Sequence, residues 1–473
     1  MSLHTALIAV FDVGKTNAKL TLIDPKLGQE VWSTRRANNI VQGAACRELD
    51  IVAIEAWLLE SLRNAPGRER IAVIVPIAHG AAAVLVDRAG EVVVAPDYED
   101  PCFDEVSAEY LPLRDDYSLT FSPSLPLGLN LGRQLFYLQT LRADLFQRSA
   151  HVLLYPQYWS WRLSGAMAAE FTSLGTHTDL WRPHEQAYSL LARKQGWARM
   201  LPPQRSATDR LGRIRQSVAD ATGLSAACEV ACGIHDSNAS YLRFLMDRER
   251  EAFTVVSSGT WTIVMANRGD LRRLIEQRDM LANVNVFGAP VATARYMGGR
   301  EYEAIAQSGD EPTVDAVIEV LSQRAIALPS FASAGPYAGR PGRLEGAESL
   351  QGAQRAALAT VYSALMTAVL IESLGAAGEI FVDGPLARNP LFARLLAACV
   401  PVGTVRTYPE GGGTRVAGSV QERLRISGVT QHRAYFLAVV MASGRRQQAG
   451  QRRMLRRRPG KRFDGGRQGG SLQ

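Results

Sequence analysis

An ionisable pair, His235 and Asp236, lies in the segment GIHDSNAS at residues 233–240, between a glycine and a run of small residues. The pattern predicts a short loop that joins two apolar segments. A carboxylate at such a bend either caps the N-terminus of a helix or acts on a substrate as a general base. The segment by itself leaves both interpretations open.

A second group of chemically competent residues follows the first apolar run of the chain, in the segment DVGKTNAK. Backbone N–H groups of a glycine-containing turn can bind phosphate oxygens, and glycine permits positive φ and the close approach of a ligand. The side chains would add a carboxylate for Mg²⁺ through water, hydrogen-bond donors and positive charge. These candidates are Asp12, Gly14, Lys15, Thr16, Asn17 and Lys19. An ordinary hairpin turn accounts for the same residue types.

Three later segments are also rich in glycine. Ser258-Gly259-Thr260 repeats the glycine turn, and one nucleotide could lie between the two copies. In DGPLARNP, residues 383–390, Gly384 and Asn389 either bind an anion at a helix N-terminus or form a simple turn and N-cap. EGGGTRVAG, residues 410–418, precedes another predicted helix.

The elements that would position these residues form two similar series. TALIAVFDVG and AKLTLID predict a hairpin, and AFTVVSSGTWTIVMA at residues 252–266 repeats the plan of strand, turn and strand. Other strands are predicted near Glu30–Ser33, Ile71–Ile77, Ala83–Asp87, Glu91–Ala95, HVLLYP, EIFVDG and GTVRTY, and helices near Ile51–Arg63, Gly132–Phe146, QYWSWRLSG, Gln351–Ala376 and Asn389–Cys399. The chain is therefore predicted to be a duplicated α/β protein with a helical boundary near residues 241–250.

Length and composition set limits on the class of protein. A chain of 473 residues exceeds what one core usually supports, and 47% apolar with 21% charged residues is ordinary for a soluble protein. No basic and apolar leader and no uninterrupted apolar stretch of about 18–20 residues is evident, so neither a signal peptide nor a membrane span is predicted. Five scattered cysteines predict reduced thiols in the cytoplasm, without a zinc site or a disulfide framework.

The net charge of +7 belongs to the end of the chain. Residues 441–473 contain ten Lys and Arg against one Asp, so this tail carries +9 and the remainder −2. Its Gly, Arg and Gln composition predicts a disordered, solvated segment. Electrostatic binding of nucleic acid by this tail is the less favoured interpretation.

Taken in order, DVGKTNAK, GIHDSNAS, SSGTWT, VDGPLARNP and EGGGT resemble the motifs of the FGGY carbohydrate kinases, members of the actin/hexokinase/Hsp70-like superfamily. The resemblance covers about residues 6–420 and includes LLYPQYWSWRLSG and EFTSLGTHTDLWRP. GIHD, SSGTWT and TSLGTHTDLW are most similar to the branch of L-fuculokinases and rhamnulokinases. The resemblance implies an α/β fold of two ribonuclease H-like domains with ATP in the cleft between them.

The resemblance also implies roles for single residues. Asp236 matches the catalytic base, which would aim a sugar hydroxyl at the γ-phosphorus of ATP and take its proton. His235 is expected to shape its loop or contact a sugar hydroxyl. The phosphate and nucleotide loops are matched by Asp12 with Gly14, Thr16 and Asn17, by Gly259 with Thr260, and by Gly384 with Asn389.

The sugar site is expected mainly in the first half of the chain. PIAHGAAAVLVD resembles the segment that contacts sugar hydroxyls, which makes His79 and Gly80 candidates; a core-facing histidine is the alternative. In APDYED, residues 95–100, Asp97 and Tyr98 stand where relatives carry a Trp-x-Asp-x-Arg-like segment, so the sugar stays unspecified. Thr176 and His177 could also face the sugar. ARYMGGREYEAI, residues 294–305, either closes over the nucleotide or packs as a helix, and packing is favoured.

These observations predict an Mg²⁺-dependent, ATP-dependent kinase of a ketose such as L-fuculose, L-rhamnulose or a pentulose. The expected domains are 1–245 with the sugar site and base, 246–440 with the nucleotide site, and the 441–473 tail. The expected partners are the sugar and ATP, with a homodimer as an option and no membrane. A catalytically inactive nucleotide-binding protein of the same fold and a nucleic-acid-associated protein acting through its tail are the alternatives.

Overall fold

The computed structural model describes residues 6–246, 248–400, 404–408 and 414–415, with the backbone alone for 414–415. The basic tail, most of EGGGTRVAG and the first five residues lie outside these described residues. Every structural statement below concerns the described part of the chain.

The first half contains one large sheet, several two- and three-stranded sheets, and the helices that cover them. Its strands are β1 (Leu7–Val13), β2 (Asn17–Asp24), β3 (Gln29–Ala37), β4 (Ile40–Gln42), β5 (Arg47–Leu49), β6 (Ile71–Ala78), β7 (Ala83–Val86), β8 (Val92–Val94), β9 (His151–Leu154), β10 (Ala169–Glu170), β11 (Trp181–Arg182), β12 (Ala187–Tyr188), β13 (Gln204–Arg205), β14 (Arg210–Arg213), β15 (Glu229–Ala231) and β16 (Ile234–His235). Its helices are α1 (Ile51–Asn64), α2 (Ser107–Tyr110), α3 (Tyr117–Thr120), α4 (Leu131–Leu141), α5 (Ala143–Arg148), α6 (Tyr155–Ser164), α7 (Phe171–Leu174), α8 (Leu190–Lys194), α9 (Gln216–Thr222) and α10 (Asp236–Leu245).

The second half repeats this plan with longer helices. Its strands are β17 (Phe253–Ser258), β18 (Thr262–Asn267), β19 (Met280–Val284), β20 (Pro290–Tyr296), β21 (Ile326–Leu328), β22 (Arg343–Glu345), β23 (Glu379–Asp383), β24 (Val405–Tyr408) and β25 (Thr414–Arg415). Its helices are α11 (Gly298–Ala306), α12 (Val314–Ser322), α13 (Gly352–Ser373) and α14 (Pro390–Cys399).

The two large sheets share one core order. The first runs β14-β15-β6-β1-β2-β3, with β16 also pairing with β6, and the second runs β19-β20-β18-β17-β23-β24-β25. In each, the opening hairpin is antiparallel and its first strand pairs in parallel with a strand that follows a helix. The duplicated α/β architecture of two ribonuclease H-like domains, predicted from the paired hairpins and the resemblance, is confirmed.

Burial explains why the first hairpin forms. Along β1, Leu7, Ala9, Phe11 and Val13 are buried while the residues between them are partly exposed, which is the period-2 pattern of a sheet with one face toward the core. Helix α1 places Ile51, Ile54, Leu58 and Leu62 in the same core cluster, at the spacing of one helical face. Each such buried aliphatic side chain contributes roughly 1.5–3 kcal/mol.

Helix α13 is the central helix of the second half. It is the one helix of the described chain that is long and apolar enough to cross a membrane, by length and composition only. In its most apolar window 89% of the residues are buried, and Leu358, Leu365 and Leu370 lie in the core cluster of the second half. A helix that is apolar on all sides and buried in this way is a core helix.

Two local predictions were wrong. The helix predicted over Gly132–Phe146 is two helices, because Arg142 adopts φ −134° and ψ 49° and ends α4. The loop predicted at GIHDSNAS is a short strand followed by a helix. Ile234 and His235 pair with Ile77 and Ala78 of β6, and Asp236 is the first residue of α10.

Candidate active site

Two carboxylates meet at one end of the first large sheet. Strand β6 pairs in parallel with β1 on one side and with β16 on the other, which aligns Asp12 with Ile77 and His235 with Ala78. The carboxyl ends of parallel strands lie at the same sheet edge, so Asp12 and Asp236 approach each other there. Burial first, and the negative charge of Asp236 second, raise the pKa of Asp12 from 3.8 to about 6, while Lys19 opposes the rise.

Asp236 is held from its own segment. Its Oδ1 lies 3.1 Å from Nε2 of His235 and accepts hydrogen bonds from the backbone N–H of Ser237 at 2.5 Å and the Ser237 hydroxyl at 3.1 Å. The Asp236 side chain remains 40% exposed, so solvent or a substrate can reach it. A carboxylate at the first position of a helix is also favoured by the helix dipole. Both the structural and the catalytic interpretations of Asp236 are therefore compatible with its position.

Buried histidines line the same region. Burial lowers the pKa of His79 to about 4 and that of His177 to about 3, so both rings are neutral near pH 7. The charge of Asp236 raises the pKa of His79 and the charge of Lys15 lowers it, but both effects are smaller than that of burial. The His79 ring packs edge-on against Tyr98, with 5.5 Å between the ring centroids. The Nδ1 atom of His177 lies 2.7 Å from the carbonyl oxygen of Leu129, on a backbone with φ 38°. His79 thus lies near Asp236, and His177, which is close enough to His235 for that ring to affect its pKa, is held by the loop before α4.

The segment with Asp97 and Tyr98 joins this group through Lys15. The Lys15 ammonium contacts the carboxylate of Asp97, which is buried, and lies 3.6 Å from Oε2 of Glu99. It also lies 4.8 Å from the centroid of the Tyr98 ring, a cation–π contact. Burial, followed by the charges of Glu99, Asp236 and Asp97, raises the pKa of Tyr98. Lys15 is predicted from the sequence to bind phosphate, but in the structure its ammonium contacts Asp97 and Tyr98, which are predicted to bind the sugar.

The first glycine turn is a tight hairpin. The N–H of Gly14 donates to the carbonyl of Asn17 at 2.9 Å, and the Asn17 amide donates to the hydroxyl of Thr16 at 3.0 Å. Asn38, which follows the end of β3, contacts the turn by donating from Nδ2 to the Gly14 carbonyl at 2.9 Å. Gly14 and Gly259 lie outside the positive-φ residues, so neither turn uses the left-handed conformation that glycine permits. Lys19 forms an exposed ion pair with Glu30 at 2.9 Å.

The second glycine turn borders a cavity of about 740 Å³ in the second half. That volume is within the usual range for small-molecule sites. Its lining includes Ser258, Gly259 and Thr260 from the turn and Pro385, Leu386, Arg388 and Asn389 from the segment after β23. Two of the predicted nucleotide segments therefore face one cavity.

Gly384 is required by the close approach of these two segments. Its φ is +81°, and a Cβ there would lie 2.0 Å from the backbone oxygen of Ser258. The Ser258 hydroxyl donates to the Asp383 carbonyl at 2.6 Å and accepts from the Leu386 N–H at 3.0 Å. Asn389 is the N-cap of α14, accepting from Leu391 and Phe392, and it also lines the cavity. The N-cap interpretation of Asn389 is thus confirmed, and nucleotide binding by this residue stays a prediction.

Helix α11 supplies residues that line the cavity, although the sequence favours a packing role for this segment over a contact with the nucleotide. Gly298 and Gly299 begin this helix, and a Cβ on Gly299 would lie 2.6 Å from the carbonyl oxygen of Gly259. The following residues Arg300, Tyr302 and Glu303 line the cavity, as do Asp310, Glu311 and Pro312. The same helix buries Glu301 and Ile305, so it packs and lines the cavity at once. The two adjacent glycines at the start of this amphipathic helix are the feature of the sequence that could have indicated its contact with the cavity.

The site offers few protein ligands for a magnesium ion, which agrees with the usual coordination of Mg²⁺ in proteins. Within the described chain no cluster of three or more His, Cys, Asp or Glu is arranged to hold a metal. Mg²⁺ usually takes one or two carboxylates together with waters and substrate phosphates. Asp12, with a pKa raised by burial and by the charge of Asp236, fits such a ligand because a cation would offset both effects.

Comparison with known proteins places the chain among sugar kinases. Residues 250–426 match the sequence family described as carbohydrate kinase FGGY, C-terminal domain. An L-fuculokinase of Haemophilus influenzae is 26% identical over 289 residues, which are 55% of this chain and 57% of that protein. The chain thus spans little more than half the length of this curated relative.

Solved structures match over nearly the whole chain. A carbohydrate kinase from Novosphingobium aromaticivorans is 33% identical, with a TM-score of 0.83 over 93% of this chain and 100% of the other. A xylulose kinase from Rhodospirillum rubrum is 15% identical, with a TM-score of 0.71 over 92% of this chain and 98% of the other. At that identity the second match establishes the shared fold alone.

Proposed function

Because the chain belongs to the FGGY carbohydrate kinase family, we propose that it transfers the γ-phosphoryl group of ATP to a hydroxyl of a small sugar, with Asp236 as the general base. The observation that carries this proposal is the position of Asp236, partly exposed at the start of α10 and close enough to Asp12 to raise its pKa. A carboxylate in that place can orient an acceptor hydroxyl and take its proton as the new O–P bond forms.

The nucleotide is assigned to the cavity of the second half. Gly259 and Thr260 offer backbone N–H groups for phosphate oxygens, Asn389 lines the same cavity, and Gly384 allows its segment to approach Ser258 of the turn. Gly14, Thr16, Asn17 and Lys19 of the first turn would complete the phosphate site. Mg²⁺, held through Asp12 and the phosphates, would offset charge on the transferred group.

The acceptor is assigned to the region around His79, Gly80, Tyr98 and His235. The neutral imidazole of His79 and the phenol of Tyr98 suit the hydroxyls of an uncharged sugar, since each can donate or accept a hydrogen bond. A ketose such as L-fuculose, L-rhamnulose or a pentulose is the proposed substrate, giving a 1- or 5-phosphorylated sugar for catabolism. The L-fuculokinase relative supports this choice.

Three further parts of the proposal concern the whole protein. Residues 1–245 and 246–440 are proposed as the two domains, separated near the end of α10 at Leu245. A cytoplasmic location is proposed, because Cys46, Cys102, Cys228 and Cys232 are free thiols. The sugar and ATP are the proposed partners, with a homodimer as an option.

A coupled ADP-release assay with Mg·ATP across ketoses and sugar alcohols tests the proposal. L-fuculose, L-rhamnulose, both xyluloses, both ribuloses and erythritol form the panel, and one clear hit is expected. Asp236→Asn should lower kcat by roughly 10²- to 10⁴-fold while ATP still binds. ATP binding without turnover on any acceptor would instead favour the inactive nucleotide-binding protein.

A further inference from the structure

One oxygen of the Asp236 carboxylate is fully engaged and the other is open. Oδ1 receives the backbone N–H and the hydroxyl of Ser237 and lies 3.1 Å from Nε2 of His235. In the part of the chain that the structure describes, no hydrogen bond reaches Oδ2. The asymmetry leaves Oδ2 as the carboxylate oxygen that is free to accept a proton from a substrate hydroxyl.

The hydrogen bonds of His235 indicate where its proton lies. Nδ1 lies 3.2 Å from the amide nitrogen of Asn238, which can only donate. The Thr176 hydroxyl, 3.4 Å from Nδ1, donates instead to the carbonyl of Thr172 at 2.7 Å. An Nε2 atom without a proton would set its lone pair against the carboxylate at 3.1 Å. The neutral ring therefore carries its proton on Nε2, which lies 3.1 Å from Oδ1 of Asp236. Burial lowers the pKa of His235, which favours this neutral form.

The ring itself is held by its surroundings. The backbone N–H of His235 donates to the Thr172 hydroxyl oxygen at 3.1 Å, and that hydroxyl donates to the buried carboxylate of Glu170 at 2.6 Å. A Cβ on Gly80 would lie 2.9 Å from Nε2 of His235, so only glycine leaves room for the ring in this position. Both its backbone and its ring thus leave His235 little freedom to move.

We propose that His235 is a positioning residue for the general base: when substrate is bound, the 3.1 Å contact between Nε2 and Oδ1 of Asp236 tightens into a hydrogen bond donated by Nε2, which directs Oδ2 toward the acceptor hydroxyl. The inference rests on the proposed function, because it takes Asp236 as the base. In the transfer step the acceptor proton moves to Oδ2 while the acceptor oxygen bonds to phosphorus and the bond to ADP breaks. His235 keeps its own proton throughout.

Two amide substitutions separate this role from simple space filling. His235→Gln places an amide N–H near the position of Nε2, whereas His235→Asn places one near Nδ1. We expect His235→Gln to retain kcat within about 3-fold and His235→Asn to lose about 10- to 100-fold in kcat with little change in the KM for ATP. Equal losses in the two variants would overturn the proposal.

A double-mutant cycle tests whether His235 acts through Asp236. In an Asp236→Asn background, His235→Asn should cause no further loss of the residual turnover beyond about 2-fold. A full, multiplicative loss would show an independent role, such as a direct contact with the sugar, and would overturn the proposal. Normal turnover in Asp236→Asn alone would refute the base assignment instead, so the two failures are distinguishable.

The position of the proton can be measured without any acceptor. Nitrogen-15 NMR of the histidine-labelled full chain, which has seven histidines, should show His235 as the neutral form protonated at Nε2. The spectrum of His235→Gln identifies its signals. Protonation at Nδ1, or an imidazolium at neutral pH, would overturn the proposal even if the panel of acceptors gives no turnover.

Discussion

The ammonium of Lys15 contacts the carboxylate of Asp97, and this ion pair joins the first glycine turn to the segment proposed to bind the acceptor. Asp97 is 1% exposed, and its remaining partners are the Glu99 N–H at 3.1 Å and the guanidinium of Arg47 at 3.8 Å. A buried carboxylate that loses its main cation is costly. The position of Lys15 therefore supports a role in shaping the acceptor site.

Replacing Lys15 by Met should weaken acceptor binding more than nucleotide binding. Loss of the main cation from buried Asp97, which then keeps only Arg47 at 3.8 Å as a charged partner, should lower the free energy of unfolding by about 3 kcal/mol, and the displaced 97–99 segment should raise the acceptor KM. Steady-state kinetics in both substrates and thermal unfolding measure these effects. Lys26→Met, in the exposed turn after β2, is the control. An increase confined to the KM for ATP would instead support the prediction that Lys15 binds the phosphates of ATP.

Removing the Asp12 carboxylate should weaken the response of turnover to magnesium. Asp12→Asn keeps the size of the side chain but loses the charge that a bound cation requires. We expect turnover to fall by about 100-fold or more, because a metal ion supplies several kcal/mol of charge stabilisation in the transition state. Activity titrated against MgCl₂ at fixed ATP measures the effect. Asp144→Asn, on the exposed side of α5, is the matched control, and an unchanged Mg²⁺ response in Asp12→Asn would contradict the assignment.

Gly384→Ala should damage the cavity wall, and Gly339→Ala provides an unusually close control. Both glycines have φ +81°, but a Cβ on Gly384 meets the Ser258 backbone at 2.0 Å while one on Gly339 meets nothing within 4 Å. Gly339→Ala should therefore cost only the backbone strain, about 1–2 kcal/mol. Gly384→Ala should cost more and also weaken ATP binding, measured by calorimetry. Equal stability and equal ATP affinity in the two variants would show that the contact with Ser258 is unimportant.

Glu170 should make the stability of the protein fall as the pH rises. Burial raises the pKa of this carboxyl to about 7, although Thr172 and Ser173 donate hydrogen bonds that oppose the rise. Because Glu170 ionises near pH 4.5 in the unfolded chain, the folded protein keeps the proton of this carboxyl to a higher pH. The contribution of Glu170 is thus fully present below about pH 4.5 and is lost as the pH passes 7, a change of about 3 kcal/mol.

Glu170→Gln should reduce this pH dependence. Thermal or urea unfolding at pH 5 and pH 8 measures the difference in stability for the native chain and the variant. Glu60→Gln, on the exposed side of α1, should leave the difference unchanged. A Glu170→Gln variant that is destabilised equally at both pH values, with the native difference intact, would show that Glu170 does not titrate in this range.

The sequence predicts those helices, strands and caps well that are determined by interactions between residues close together in the chain. The alternating residues of β1 and β2, the apolar face of α1 and the N-cap Asn389 are set by neighbours in the chain. The break at Arg142 was missed because it depends on backbone angles that no local pattern there indicates. The sequence predicts a loop at GIHDSNAS because the pairing of Ile234 and His235 with β6, a strand about 160 residues earlier, is not visible in the segment.

The sequence by itself determined the two hairpins, the order of the motifs and the residue types that can carry phosphoryl transfer, because these follow from short-range periodicity, turn chemistry and resemblance. The tertiary structure alone decided which of them meet. It directs Lys15 to Asp97, 82 residues away in the sequence, and brings α11 against the Gly259 turn. It also raises the pKa of Asp12 through burial and the charge of Asp236, because both effects depend on distances in space that the spacing of residues along the chain does not contain.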